Sequence, residues 1–90
     1  MWYSVFIGTV GPAASTTEAE AFIRQVSEQY ADAQHNAWAY LIGFGPAAHY
    51  ACHNAGEPGG TAGPPTLAAL QASGMGDIVA VVTRYFGGIK

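Results

Sequence analysis

Two stretches of this chain combine residue types and spacing that could do chemistry. The first is Asn54-Ala55-Gly56-Glu57-Pro58-Gly59-Gly60-Thr61-Ala62-Gly63, which runs into Pro64-Pro65. A glycine-rich loop that opens a helix can cradle an anion on free backbone N–H groups. Three details weigh against a nucleotide. The loop has no lysine, and neither G-x-x-x-x-G-K-[ST] nor G-x-G-x-x-G occurs. Glu57 repels an anion held close by. Pro64 and Pro65 each remove an N–H donor. The competing reading is a tight structural loop whose amides are capped by Glu57 and Thr61.

The second stretch is Thr83-Arg84-Tyr85-Phe86-Gly87-Gly88, at the end of an apolar run. An arginine among aromatics suits a phosphate contact with base stacking, as on single-strand binding surfaces. Against this stands a reading in which Tyr85 and Phe86 are core and Arg84 pairs with Glu57 or Asp77. Metal and nucleophile chemistry find less support. His49 and His53 share a strand face but stand about 13 Å apart at 3.3 Å per residue, too far for one ion. Cys52 falls on the opposite face and reads as a small buried hydrophobe. No metal site and no cofactor are expected.

These groups need elements to position them. Trp2 to Thr9 is aromatic and β-branched and closes at Gly11-Pro12, which predicts a strand. Ser15 and Glu18 are spaced as a capping box, and Phe22, Ile23, Val26 and Tyr30 follow at helical spacing, predicting a helix near residues 17–31. Residues 36–42 read as a strand apolar on both faces, and residues 48–53 pair back on it after the Gly43-Phe44-Gly45-Pro46 turn. A short helix over 65–72 and a continuous apolar strand over 78–83 complete the order β-α-β-β-α-β. The fold class is α+β, a two-layer sandwich with both helices on one face of the sheet.

Composition bounds the function. In 90 residues there are three Lys+Arg and six Asp+Glu, giving a net charge of −3. Phosphate-backbone binding normally leaves a broad basic footprint, which three cations cannot supply. Half the residues are hydrophobic and only 10% are charged, which excludes intrinsic disorder. The longest clean apolar run, Ile78 to Val82, falls far below the roughly 20 residues of a membrane span. A single cysteine and a start without a basic stretch fit a cytoplasmic setting.

Three blocks act together as a signature: His35-Asn36-Ala37-Trp38-Ala39-Tyr40, Gly56-Glu57-Pro58-Gly59-Gly60-Thr61-Ala62-Gly63, and Val81-Val82-Thr83-Arg84-Tyr85-Phe86-Gly87-Gly88. In this order and spacing they resemble the N-terminal domain of the IMPACT/YigZ family, along essentially the whole chain, residues 1–90 forming one domain. The resemblance implies a ribosomal-protein domain-2-like fold and a non-enzymatic, translation-associated module. Its partner would be RNA, the ribosome or a translation-regulatory protein, and no membrane. The implied contact surface is Glu57, Gly59, Gly60, Thr61 and Gly63 with Arg84, Tyr85, Phe86, His35 and Tyr40. One alternative is a small-molecule enzyme using Glu57 as base or metal ligand, with His35 or Arg84 as partner. Another is a protein-interaction module, self-association included.

The chain departs from the family pattern at several points. Asn54-Ala55 stands where the family has Asp-Asp, Leu41 stands where an arginine follows the tyrosine, and Pro64 stands where an arginine follows T-A-G. Each change removes charge from the implied surface. The family also continues past Phe86-Gly87-Gly88-Ile89-Lys90 with L-G-x-G-G-L and a further helix, so the fold is expected without its last helix.

Overall fold

A computed structural model describes residues 2–56 and 62–88. Four strands form one sheet: β1 (Trp2–Pro12), β2 (His35–Ile42), β3 (His49–His53) and β4 (Ile78–Gly88), in the order β1-β4-β2-β3. Every hydrogen-bonded neighbour is antiparallel. Helix α1 (Thr16–Gln29) joins β1 to β2, and α2 (Gly63–Ala72) precedes β4. A 3-10 turn, Gly45–Ala47, sits in the β2–β3 connection. The α+β class and the β-α-β-β-α-β order are those expected from the sequence.

The capping box forms as the spacing predicts. The Glu18 N–H donates to Ser15 Oγ at 3.1 Å, and Glu18 Oε1 accepts from the Ala14 N–H at 3.0 Å. Helix α1 then buries Ala19 and Val26. Its far end is tied down through the core. Thr83, fully buried on β4, donates to Asn36 Oδ1 at 2.7 Å, and Asn36 Nδ2 donates to the Tyr30 carbonyl at 3.1 Å. A buried hydroxyl needs such a partner, because an unmet hydrogen bond costs about 1–3 kcal/mol.

Two expectations are corrected. The helices do not share a face. Phe22 and Ile23 of α1 pack with Trp38, Tyr40 and Val79, whereas Leu67 and Leu70 of α2 pack with Ala39, Leu41, Ile78 and Ala80. Alternating residues of β2 and β4 point to opposite faces, so the sheet lies between the helices in three layers. The cause is legible in β2, where both faces are apolar and both need cover. The second correction concerns β4, expected over 78–83, which runs on through Arg84 to Gly88. It does so because β1 pairs with it rung for rung, from Pro12↔Ile78 to Trp2↔Gly88.

Helix α2 lies chiefly over β2 and β3, touching β4 only near its start, and among the described residues it leaves β1 uncovered on that face. A trough of about 450 Å³ runs there, lined by Phe6, Val10, Pro65, Ala69, Leu70 and Val82. At the opposite end of β1, one corner locks three strands. The Ala13 N–H donates to the Asp77 carbonyl at 2.9 Å, and Asp77 Oδ1 accepts from the Gly43 N–H at 2.7 Å. Asp77 takes a left-handed φ of 50°, next to Gly76. A Cβ on Gly76 would collide with the Gly43 carbonyl oxygen and the Phe44 ring, while one on Gly8 would meet open space. Gly76→Ala is expected to destabilise the fold by about 1–3 kcal/mol through this overpacking, and Gly8→Ala by much less. Paired thermal melts of the two variants check the difference.

Candidate functional site

The continuation of β4 decides which side chains can meet. On a strand, neighbours alternate between faces. Arg84 and Phe86 therefore share the α2 face, and Tyr85 points to the α1 face. The register adds the neighbours: Arg84 stands opposite Phe6 of β1 and His35 of β2, and Phe86 stands opposite Ser4. Phe6, Arg84 and His35 form one row across three strands.

In that row the Arg84 guanidinium carbon lies 5.6 Å from the ring centre of Phe6 and 5.6 Å from that of Phe86. A guanidinium over an aromatic face gains about 0.5–1 kcal/mol at an exposed site, and more when desolvated. Arg84 Nη2 also donates to Ser4 Oγ at 3.2 Å. Phe6 and Phe86 remain 60% and 44% exposed, so the rings flank the cation and still face solvent. Backbone bonds fix the strand beneath: the Gln34 N–H donates to the Arg84 carbonyl at 3.0 Å, and Gln34 Oε1 accepts from the Phe86 N–H at 2.8 Å.

His35 links this row to the start of the glycine-rich segment. Its Nδ1 lies 2.8 Å from the Ala55 carbonyl oxygen. A carbonyl oxygen only accepts, so this nitrogen carries the proton. From the other side His53 Nδ1 accepts from the Ala55 N–H at 2.9 Å. Ala55 is thereby held at a left-handed φ of 51°, a conformation uncommon for a residue with a side chain. Asn54 Oδ1 accepts from the Gly63 N–H at 2.8 Å, which joins the segment's entry to the first turn of α2.

The residues expected at the site divide as follows. His35, Arg84 and Phe86 come together on one face, with Ala55 and Gly56 beside His35. Gly63 is buried where a Cβ would press on the His53 backbone, so glycine is required there for the close approach of α2 to β3. Tyr40 and Tyr85 do not join the group. Tyr40 lies under α1 on the other face, 5.7 Å from Trp38 in a parallel stack. Tyr85 points the same way and donates to Asp32 Oδ1 at 2.8 Å. The expected contact surface thus separates onto two faces by strand alternation. Glu57, Gly59, Gly60 and Thr61 lie outside the described residues. A pairing of Arg84 with Asp77 is ruled out by register, because Asp77 precedes β4 at its far end and holds the Gly43 N–H. Sequence reasoning missed Ser4 and Phe6; the signal was the alternation Ser4, Phe6, Gly8, Val10 along β1.

A further cavity of about 310 Å³ lies by the 3-10 turn, lined by Leu41, Pro46, Tyr50 and Met75 among others. Its lining residues include no acid and no cation, and it is remote from Arg84.

Comparison with known proteins matches the Impact N-terminal domain family model over residues 3–90. "IMPACT family member YvyE" of Bacillus subtilis is 44% identical over 87 residues, covering 97% of this chain and 40% of its own length. "IMPACT family member YigZ" of Escherichia coli is 40% identical, covering 96% of this chain and 43% of its own length. A solved structure titled "Crystal structure of an hypothetical protein" superposes with a TM-score of 0.89 at 40% identity, over 97% of this chain and 43% of that one. The chain therefore spans less than half the length of these relatives.

The Tyr85–Asp32 pair makes one prediction. The phenol O–H donates to the carboxylate, and with burial and the Asp32 charge this raises the Tyr85 pKa above its ordinary 10.0. Tyr85 should ionise later than a free tyrosine in a spectrophotometric titration, and Asp32→Asn should bring it back down. The stabilisation from this bond is fully present below the ordinary tyrosine pKa and is lost as pH rises through the raised one.

Proposed function

The chain belongs to the Impact N-terminal domain family, and from that premise we propose that it is a non-enzymatic, translation-associated regulatory module that binds single-stranded RNA on the ribosome. The observation that carries the reading is the Phe6–Arg84–Phe86 group. A guanidinium flanked by two half-exposed rings on a sheet face offers a phosphate contact beside two stacking surfaces. Ser4 and His35 add polar groups along the same row.

Electrostatics set the strength and manner of such binding. Besides Arg84, the described residues carry a single cation, Arg24, exposed on α1. The complex would engage only one or two phosphates, and most of its free energy would come from stacking. The family relatives are more than twice as long, so the remainder of a longer protein would supply further contacts and the regulatory output.

Fluorescence anisotropy with a labelled single-stranded RNA at ~50 and ~200 mM salt tests the reading. At about −0.7 per phosphate on a single strand, the slope of log Kobs against log salt should be near −1. Arg84→Ala and Phe86→Ala should each weaken binding by about 1–2 kcal/mol, in the range of one base stack or one desolvated cation–ring contact. Arg24→Ala should leave it unchanged. Absence of binding at low salt, or equal loss with Arg24→Ala, would overturn the RNA assignment.

A further inference from the structure

We propose that β1 is a homodimerisation edge, pairing antiparallel with β1 of a second copy about a two-fold axis at Gly8. The proposal goes beyond the RNA reading and does not depend on it.

Among the described residues, the sheet order leaves β1 and β3 as the two edges. Exposed edges carry unpaired N–H and C=O groups, and proteins usually blunt them with charge, proline, a bulge or short length. β3 is blunted: it has five residues and two exposed histidines. β1 has none of these devices. It has 11 residues, no charged side chain, and proline only at its last position. Its register with β4 is unbroken from Trp2↔Gly88 to Pro12↔Ile78, so no bulge turns the edge away.

Side chains select the partner and the register. Phe6 and Val10, 60% and 61% exposed, stand on one face on either side of Gly8. A Cβ at Gly8 would have nothing within 4 Å. An antiparallel pair centred on Gly8 sets Phe6 of each copy opposite Val10 of the other, which covers both apolar residues twice. A shift of the centre by one residue would set Phe6 against Gly8 and Val10 against Ser4, or Val10 against Gly8 and Phe6 against Pro12, so the two apolar side chains would no longer meet.

Charge favours a second copy over a charged partner. Neither β1 nor α2, the walls of the open trough, contains an acid or a cation. Two such surfaces meet without like-charge repulsion. The two Arg84 side chains would sit on strands three 4.8 Å steps apart, roughly 14 Å, beyond the Debye length at physiological salt. A paired edge of this length buries on the order of 1,000 Å², at the lower end for specific complexes, so the dimer should be weak and concentration-dependent.

Light scattering or sedimentation equilibrium of the 90-residue chain from ~1 µM to ~1 mM tests the proposal. The mass should rise toward twice that of the chain, and Val10→Lys should raise the midpoint concentration at least tenfold. In a Cys52→Ser background, Gly8→Cys should oxidise to a covalent dimer across the axis. That readout stands even if Val10→Lys impairs folding. A monomer at every concentration would overturn the proposal. So would association that folded Val10→Lys leaves intact, or a dimer that Gly8→Cys cannot cross-link.

Discussion

β4 is the constraint on which the rest of the fold depends. It is hydrogen-bonded along both edges, to β1 and to β2, and over its first half it is covered on both faces. Val79, Val81 and Thr83 are wholly buried, and Ile78 and Ala80 nearly so. Burial of a valine side chain is worth about 1.5–3 kcal/mol, so this short run carries a large share of the core of a small domain. The same position forbids charge and unmet polar groups, which is why the one hydroxyl there is bonded to Asn36.

Past Thr83 the described residues of the strand are no longer fully buried, and it changes from a core element to a display element. α2 lies chiefly over β2 and β3, and among the described residues no helix covers the row Phe6–Arg84–His35. The side chains there are set by strand pairing, by the Arg84–Ser4 hydrogen bond and by the contacts of the Arg84 guanidinium with the Phe6 and Phe86 rings. A rigid, doubly bonded strand is a better platform for an arginine than a loop, because its backbone has no freedom to move the cation away from its flanking rings.

Much of this was legible in the residues. The capping box, the period-2 faces of β2 and the β-branched run of β4 each specify one local structure, and the signature blocks point to the family that the comparisons establish. Two things were not legible. Nothing in Val81-Val82-Thr83-Arg84-Tyr85-Phe86 says where the strand stops, because that depends on a partner, β1, at the other end of the chain. Without that partner the alternation could not be assigned, and Arg84, Tyr85 and Phe86 read as one cluster instead of two faces. α2 was likewise ambiguous, since Leu67 and Leu70 fit either side of a sheet whose β2 strand is apolar on both. The glycine at 63 is the converse case: its type suggested a ligand, and its place shows a backbone contact.

The long-range pairing also has a kinetic side. β1 and β4 meet across roughly 65 residues or more at every rung, so forming that ladder carries a large loop-closure entropy. On a ribosome β1 is made before the other three strands of its sheet and β4 after them. Until β4 emerges, β1 has no partner on either edge and β2 has only the short hairpin with β3. Folding of this topology is therefore late and concerted, with the nascent β1 kept waiting as an uncharged, apolar strand.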